Sequence, residues 1–567
     1  MMKLTDLQQK LKELNIDAYL INHSNMFLHQ DILDDENKIL ELTGFSGSNG
    51  LLIVMQKNAV LLVDGRYEIQ ARQEVTDKNI EVYCTKLYPT STAVYPFIKG
   101  LISTLMYNPW CFAGGTIRHL GRSFPEMEII EDKTGLLGKL TSSKIQNVFE
   151  HRIEFAGNPR EEKIKILTDE MQKHSLKYYL LCDAASVSWM LNLRSDLLPD
   201  TPILRAYTLV SADGSYEIFG DNIKGVEAKS FAELETKLNN IGDVSVGIDT
   251  YSTPKKITSL LGRKAFAAEN PIALAKSRKS QVEMHGFENS HLRDGVALTK
   301  FLCWLDHNWQ EKTELDVCEK LYEFRSKQQH FFSLSFDTIA AFGTNAAIVH
   351  YSPTEATNKK LEEGNVLLLD SGAQYFDGTT DVTRTVPIGK IKNSDIIKHF
   401  TLVLKAHIAM ASTIFPIGTK DNVLDCITRR ELWRFGLEYK HGSGHGVGHF
   451  SGVHEMPPSL SEGGSGGFAS DMVLSIEPGY YLENAYGIRI ENLVKTVLLE
   501  EPPFDGKFLR FEALTLSPID KRLVDKYLLN EDELQYFNDY NRTVLEKLAP
   551  FMDENELEWL KDICSPL

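Results

Sequence analysis

"NVLLLDSGAQYFDGTTDVTRT" (365–385) is the stretch on which the reading of this chain turns. An apolar run, Val366 to Leu369, ends in a carboxylate, Asp370. A turn-rich segment follows, and a second carboxylate, Asp381, opens the next run. Runs of Val, Leu and Thr bounded by Gly, Asp and Ser read as two strands and their connection. A carboxylate ending a buried strand is costly unless a cation, a proton or several donors compensate it. One such residue is ordinarily a capping or turn aspartate. The same region repeats the feature, however. Glu477 follows "MVLSI" and precedes Pro478-Gly479, and Glu491 lies inside "GIRIENLVKTVLL" (487–499). Three or four such carboxylates in one domain point to a shared cation.

A nitrogen donor is available in "HGSGHGVGHF" (441–450). His441 and His445 stand four apart, but alternating glycines argue against a helix, so a loop with close backbone approach is expected. A nucleotide cradle is excluded: no Lys-Ser/Thr follows, and Val447 takes the last glycine position of a GxGxxG register. Four carboxylates and one imidazole form an oxygen-rich set. That set suits two divalent ions bridged by carboxylates and a water better than a single zinc. Such a pair lowers the pKa of the shared water and polarises a carbonyl. Asp370 and Asp381 would reach one metal pair from adjacent strands of a rigid sheet.

The chain has 567 residues, 43% hydrophobic and 25% charged, which predicts several globular domains. Its 61 basic and 78 acidic residues give a net charge of −17, which argues against a nucleic-acid or acidic-membrane surface. No apolar run approaches a membrane span, and "MMKLTDLQQKLKELNIDAYLI" reads as an amphipathic helix and a strand, not a signal peptide. Seven scattered cysteines with no CxxC pair fit a reducing cytoplasm.

Two early stretches share one pattern of polar helix, short break and apolar strand: "LQQKLKELNIDAYLI" (7–21) and "LTDEMQKHSLKYYLL" (167–181). Each is followed by β-rich sequence, at 50–67 and at 206–220, the latter a hairpin turning at Ala212-Asp213-Gly214. We expect two related α/β domains, at 1–155 and 156–276. A third domain, 277–567, opens with a long amphipathic helix over 280–308 and a second at 313–329. Hairpins, helices at 394–414 and 421–435, and further strands follow, an α+β arrangement. The tail from about 518 reads as a terminal helix on the core.

The order Asp370, Asp381, His445, Glu477, Glu491 resembles the five-ligand signature of the pita-bread metallopeptidases, which include methionine aminopeptidase, prolidase and aminopeptidase P. Four contexts carry it: "LLLDSGAQYFDGTTDVTRT", "HGSGHGVG", "LSIEPGYY" and "GIRIENLV". With two related N-terminal domains, the chain resembles the larger cytosolic Xaa-Pro aminopeptidases, strongly over 330–495 and more weakly before 270. The resemblance implies two divalent metals, manganese foremost, with cobalt or zinc as alternatives. Asp381 and Glu491 would bridge both, Asp370 would hold one, and His445 with Glu477 the other. Glu477 would also take the proton from a hydroxide-forming water that bridges the metals. His350 in "AAIVHY", His441, and His454 in "SGVHEMP" would position the substrate, line the proline pocket and stabilise the oxyanion. Arg489 would lie near the proline site. The implied reaction releases the residue before a penultimate proline, in a cytoplasmic enzyme that resembles homodimers.

Each outer residue has a plainer alternative. His350 would be a core histidine ending an apolar strand, His454 a turn residue before Pro457-Pro458, and Arg489 a partner for a carboxylate near the metals. Arg66 and Tyr67 in "DGRYEIQA" (64–71) read as turn and packing residues, with a dimer contact as the further option. Trp189, Asn192 and Arg194 in "SWMLNLRS" read as packing and interdomain contacts. Among functions, the alternatives are a prolidase, which the extra domain disfavours, and a non-catalytic pita-bread binding module, which the five retained ligands disfavour.

Overall fold

The computed structural model describes residues 2–85, 91–138, 140–499 and 505–567. The chain divides into two compact units, one holding Met1–Arg152, Asn158–Leu198 and Pro202–Leu274, the other Ile153–Gly157, Pro199–Thr201 and Ala275–Leu567.

The first unit is built twice on one plan. Helix Leu4–Glu13 buries Leu4, Leu7 and Leu11 along one face. It delivers the strand Ala18–Asn22, which lies antiparallel to Leu51–Met55 and parallel to Thr104–Tyr107. Helix Arg160–Lys173 likewise buries Ile164, Leu167 and Met171. It delivers Tyr178–Leu181, antiparallel to Tyr207–Ser211 and parallel to Val246–Ile248. Strand order matches between the two sheets, except that the first carries one more edge strand, Ile80–Thr85. The hairpin at 207–219 turns where expected: the Asp213 carboxylate accepts from Ser215 N at 3.0 Å, and Gly214 supplies a φ of +85°. Tyr67 is buried against Phe45, while Arg66 is paired to Asp64 through Nε and Nη2, both at 2.9 Å. Arg194 donates to the carbonyls of Ser188 and Leu193, and Lys163 sits over the Trp189 ring while bonding Asn192 Oδ1. These residues pack, as the sequence indicated.

The second unit opens with helix Gln281–Asn308, capped reciprocally by Ser280 and Glu283. Helix Glu314–Ser326 follows, capped in the same way by Thr313 and Asp316. Of the antiparallel sheets beyond, two frame the site. One pairs Ile339–Phe342, Asn365–Ser371 and Val382–Ile388. The other runs in the order Ile414–Pro416, Phe508–Ala513, Asn492–Leu499, Val473–Ile476, Gly444–Gly446, Glu455–Leu460. Helix Ser394–Ala411 buries Phe400 and Val403 in one cluster with Ile488, Ile490, Phe537 and Val544.

Two sequence expectations change here. The glycine-rich stretch at 441–450 is not wholly a loop, because Gly444–Gly446 forms a short strand inside the larger sheet. Glycine is what admits it: a Cβ on Gly444 would lie 1.9 Å from Ser475 O. The tail forms two helices, Glu531–Leu548 and Glu554–Ile563, rather than one. Pro550 breaks the run and Asp553 caps the second helix.

Glu36 is the buried node of the first unit. It accepts from Arg205 Nη1 at 3.0 Å, Asn25 Nδ2 at 2.9 Å, Leu33 N at 3.1 Å and Ser142 N at 2.7 Å, joining both α/β domains. Removing one partner of a buried pair leaves the other charge uncompensated. Glu36→Ala should therefore destabilise this unit by about 3–5 kcal/mol, read as a lower midpoint in urea. An unchanged midpoint would mean that water replaces the carboxylate.

Candidate metal centre

Strand register brings the two aspartates together. Asp370 lies opposite Thr383 in the Asn365–Ser371/Val382–Ile388 pair. Asp381 stands just before that second strand, two residues ahead of Thr383, close enough to Asp370 for the two charges to repel. Glu491 joins them from the short link between Tyr486–Arg489 and Asn492–Leu499. Its N–H donates to Thr383 O at 3.2 Å, and its Oε2 accepts from Thr383 Oγ1 at 2.7 Å.

The second sheet supplies the rest. His445 sits in the strand Gly444–Gly446, its N–H donating to Ser475 Oγ at 3.0 Å. Glu477 follows Val473–Ile476, and its N–H donates to Ser443 O. Ser475 Oγ also donates to Glu477 Oε1 at 3.2 Å, so one hydroxyl orients both residues. The His445 Nδ1 lies 2.9 Å from Gly446 O. A carbonyl only accepts, so Nδ1 carries a proton and Nε2 is directed at the carboxylates. Nε2 is 3.5 Å from both Asp381 Oδ2 and Glu477 Oε1. Ligand atoms of Asp381, His445 and Glu491 all lie within 4.8 Å of one another.

This cluster is badly balanced without a cation. Burial pushes Asp381 well above the usual carboxylate range, reinforced by Asp370 and Glu477. Burial likewise raises Glu491, with Asp381, Asp370 and Glu477 adding to it. Burial raises Glu477 against the opposing pull of His445 and Arg489. Asp370 Oδ1 is buried with no hydrogen-bond partner. An orphaned carboxylate oxygen beside mutually repelling acids fits a cation site. Glu477 and His445 keep side-chain exposures of 20% and 14%, which leaves that side open to an incoming molecule.

The surrounding residues are held in four different ways. Arg489, 1% exposed, donates to Asp370 Oδ2 at 2.6 Å, Thr383 Oγ1 at 3.0 Å and Tyr481 OH at 2.7 Å. It is thus a carboxylate partner, the plainer of its two sequence readings. Tyr481 OH lies 2.9 Å from His441 Nε2, and His441 Nδ1 lies 4.0 Å from Glu477 Oε2. His454 stacks edge-on against His445, ring centroids 4.2 Å apart. His350 does not end a strand: it follows the 3-10 turn Gly343–Ala347. That turn packs closely on Gly487, where a Cβ would meet Ala346 O at 1.8 Å. Sequence reading passed over Tyr481 and Thr383. Both lie inside the quoted motifs, but nothing local distinguishes them from ordinary strand residues.

Comparison with known proteins follows this geometry. The sequence model of Metallopeptidase family M24 matches residues 286–497, and that of the C-terminal region of peptidase M24 matches 507–567. Creatinase/Prolidase N-terminal domain models match 3–125 and 141–283. The chain belongs to metallopeptidase family M24, with its pita-bread catalytic fold behind two related N-terminal domains. Within that family it is similar over its whole length to Xaa-Pro aminopeptidase 1 of Dictyostelium discoideum, 31% identical across 100% of this chain and 96% of that one. Xaa-Pro aminopeptidase app-1 of Caenorhabditis elegans is 33% identical across 97% and 95%. The crystal structure of X-prolyl aminopeptidase from Caenorhabditis elegans, described as a cytosolic enzyme with a di-nuclear active site, superposes with a TM-score of 0.93 at 30% identity. It covers 100% of this chain and 98% of its own.

The raised acids fix the sign of a pH effect. An acid whose folded pKa exceeds its unfolded value holds an extra proton in the folded state. Its contribution favours the fold at low pH and is lost as pH rises towards the folded pKa. Metal competes for the same deprotonated oxygens, so metal binding strengthens as pH rises. The metal-free protein should therefore melt lower at about pH 8 than at about pH 5. The gain in Tm on adding manganese should be larger at the higher pH. A gain independent of pH would show that these acids are not where the ion binds.

Proposed function

We propose that the protein is a dinuclear metallo-aminopeptidase that releases the first residue of peptides with proline in second position. The observation that carries this is the meeting of Asp381, His445 and Glu491, flanked by Asp370 and Glu477, in a chain colinear with named Xaa-Pro aminopeptidases. Asp370, Asp381, His445, Glu477 and Glu491 would hold two divalent ions. The oxygen-rich donor set supports manganese, with cobalt and zinc as competitors. Bound there, the ions supply Lewis acidity and a water acidic enough to attack near neutral pH.

The chain's own residues do the rest. Glu477, partly open and raised in pKa, is suited to take the proton of the attacking water and pass it on. Proline's nitrogen carries no N–H, so recognition cannot rely on a donor at the scissile bond. Shape and the carbonyl must serve instead. His454, whose ring meets that of His445, and His350 are the donors this reading assigns to that carbonyl, while His441, bonded to Tyr481, would line the site. Arg489 keeps Asp370 aimed at the cluster.

The same reading assigns the enzyme to the cytoplasm, supported by the cytosolic description of the Caenorhabditis elegans enzyme and by seven scattered cysteines with no CxxC pair. A homodimer is supported by the exposed, neighbouring Trp433 and Phe435, an apolar pair that association would cover. The strong negative charge supports peptide substrates rather than nucleic acid or membrane.

Manganese-loaded protein given Arg-Pro-Pro should release arginine, seen by mass spectrometry. Cutting Arg-Pro alone would move the assignment to prolidase, and binding metal without cutting either peptide would leave a binding module. Glu477→Gln should lower kcat by about 10²–10⁴-fold, the range of a lost general base. A smaller fall would assign proton transfer elsewhere.

A further inference from the structure

His350 is carried by a segment with little regular structure of its own. After the strand Ile339–Phe342 the chain makes the turn Gly343–Ala347 and then runs irregularly to the strand Asn365–Ser371. Two groups clamp it. On one side, Arg489 Nη1 donates to Val349 O at 3.4 Å, tying the residue before His350 to the guanidinium that holds Asp370. On the other side stands Glu314, the first residue of helix Glu314–Ser326, at 0% exposure.

Every partner of Glu314 named by the structure is a donor from this segment or from Phe342, the strand residue that leads into it. Oε1 accepts from Phe342 N at 2.7 Å and Asn345 Nδ2 at 3.0 Å. Oε2 accepts from Asn345 Nδ2 at 3.0 Å, Tyr351 OH at 2.8 Å and Lys359 N at 2.9 Å. One carboxylate therefore grips where the segment starts, the residue after His350, and the stretch leading out. Burying a carboxylate is costly, and apolar packing would stabilise a loop more cheaply. Convergent charge-assisted bonds do something apolar packing cannot, which is to fix one backbone shape. The helix N-terminus favours the negative charge in place.

We propose that Glu314 is a positioning residue that sets the 343–359 segment and, through it, places His350 at the reacting peptide bond. This rests on the proposed peptidase reading of His350. The chemistry makes the carboxylate hard to replace. In Glu314→Gln one oxygen becomes an NH₂ donor facing donors, so a buried backbone N–H loses its partner.

The test is a double-mutant cycle on manganese-loaded full chain, with kcat and KM for Arg-Pro-Pro, bound metal and Tm recorded. Glu314→Gln should lower kcat/KM on the order of ten- to a hundredfold with metal content unchanged, the scale of a misplaced group. Combined with His350→Ala, it should cost no more than His350→Ala alone, since both act through one side chain. Tyr351→Phe removes a single donor and keeps the carboxylate, so it covers the case in which Glu314→Gln fails to fold. It should give a smaller loss that also vanishes in the His350→Ala background. Losses that multiply in the double variants, or wild-type kcat/KM in both Glu314→Gln and Tyr351→Phe, would overturn the proposal. Failure of the parent reading looks different: His350→Ala would then match wild type, or wild type would leave Arg-Pro-Pro intact, and the proposal falls with it.

Discussion

Like charges forced into one buried place set the terms for the second unit. Asp370, Asp381 and Glu491 are buried beside the partly open Glu477, and two ionised groups about 4 Å apart repel by about 4 kcal/mol at an effective dielectric of 20. The backbone around them must resist that pressure, because any spreading would relieve the repulsion and dissolve the site. The surrounding architecture meets this demand with register and rigidity. Asp370 sits on one of two paired strands and Asp381 at the entrance to the other, Glu491 is stitched to Thr383 by both its N–H and its carboxylate, and Ser475 grips His445 and Glu477 together.

Arginines do the remaining work of restraint. Arg384, buried, donates to the carbonyls of Thr383, Glu491, Ser517 and Pro518, to Asn492 Oδ1 and to Tyr540 OH. It thus binds Glu491 and Asn492 to the chain that leads into the C-terminal helices. Arg489 brings a positive charge directly against Asp370 and so takes up part of the imbalance. The two differ in kind: Arg384 bonds mostly to carbonyls and fixes backbone, whereas Arg489 meets a carboxylate and tunes charge.

What could be read in the sequence was what is local. The apolar runs ending in Asp370 and Glu477, the Ser280 and Thr313 starts of the long helices, and the hairpin at Asp213-Gly214 all follow from short-range patterns. The doubling of the N-terminal domains was legible because helix and strand periodicities recur together. The misses have physical causes. Gly444–Gly446 pairs as a strand only because Ser475 and Ser459 lie on either side, a fact of tertiary contact. His350 sits in a turn because Glu314, far upstream, holds the segment bent. Glu314 itself resembles any helix-opening acid, and only its burial separates it from Glu233 or Glu531. The break in the tail was written at Pro550 and Asp553 and could have been read.

The candidate ligands are Asp370 on one sheet, His445 on the other, and Asp381, Glu477 and Glu491 just outside the strands, Glu491 in the link between Tyr486–Arg489 and Asn492–Leu499. No fragment of the chain ending before that link contains the cluster. During synthesis, therefore, a nascent polypeptide cannot hold the metal in its final form until the strand Asn492–Leu499 has emerged and found its neighbours. Acquisition of the ion becomes a report that the catalytic half has closed. A misfolded intermediate with either sheet out of place exposes acids instead of a finished site.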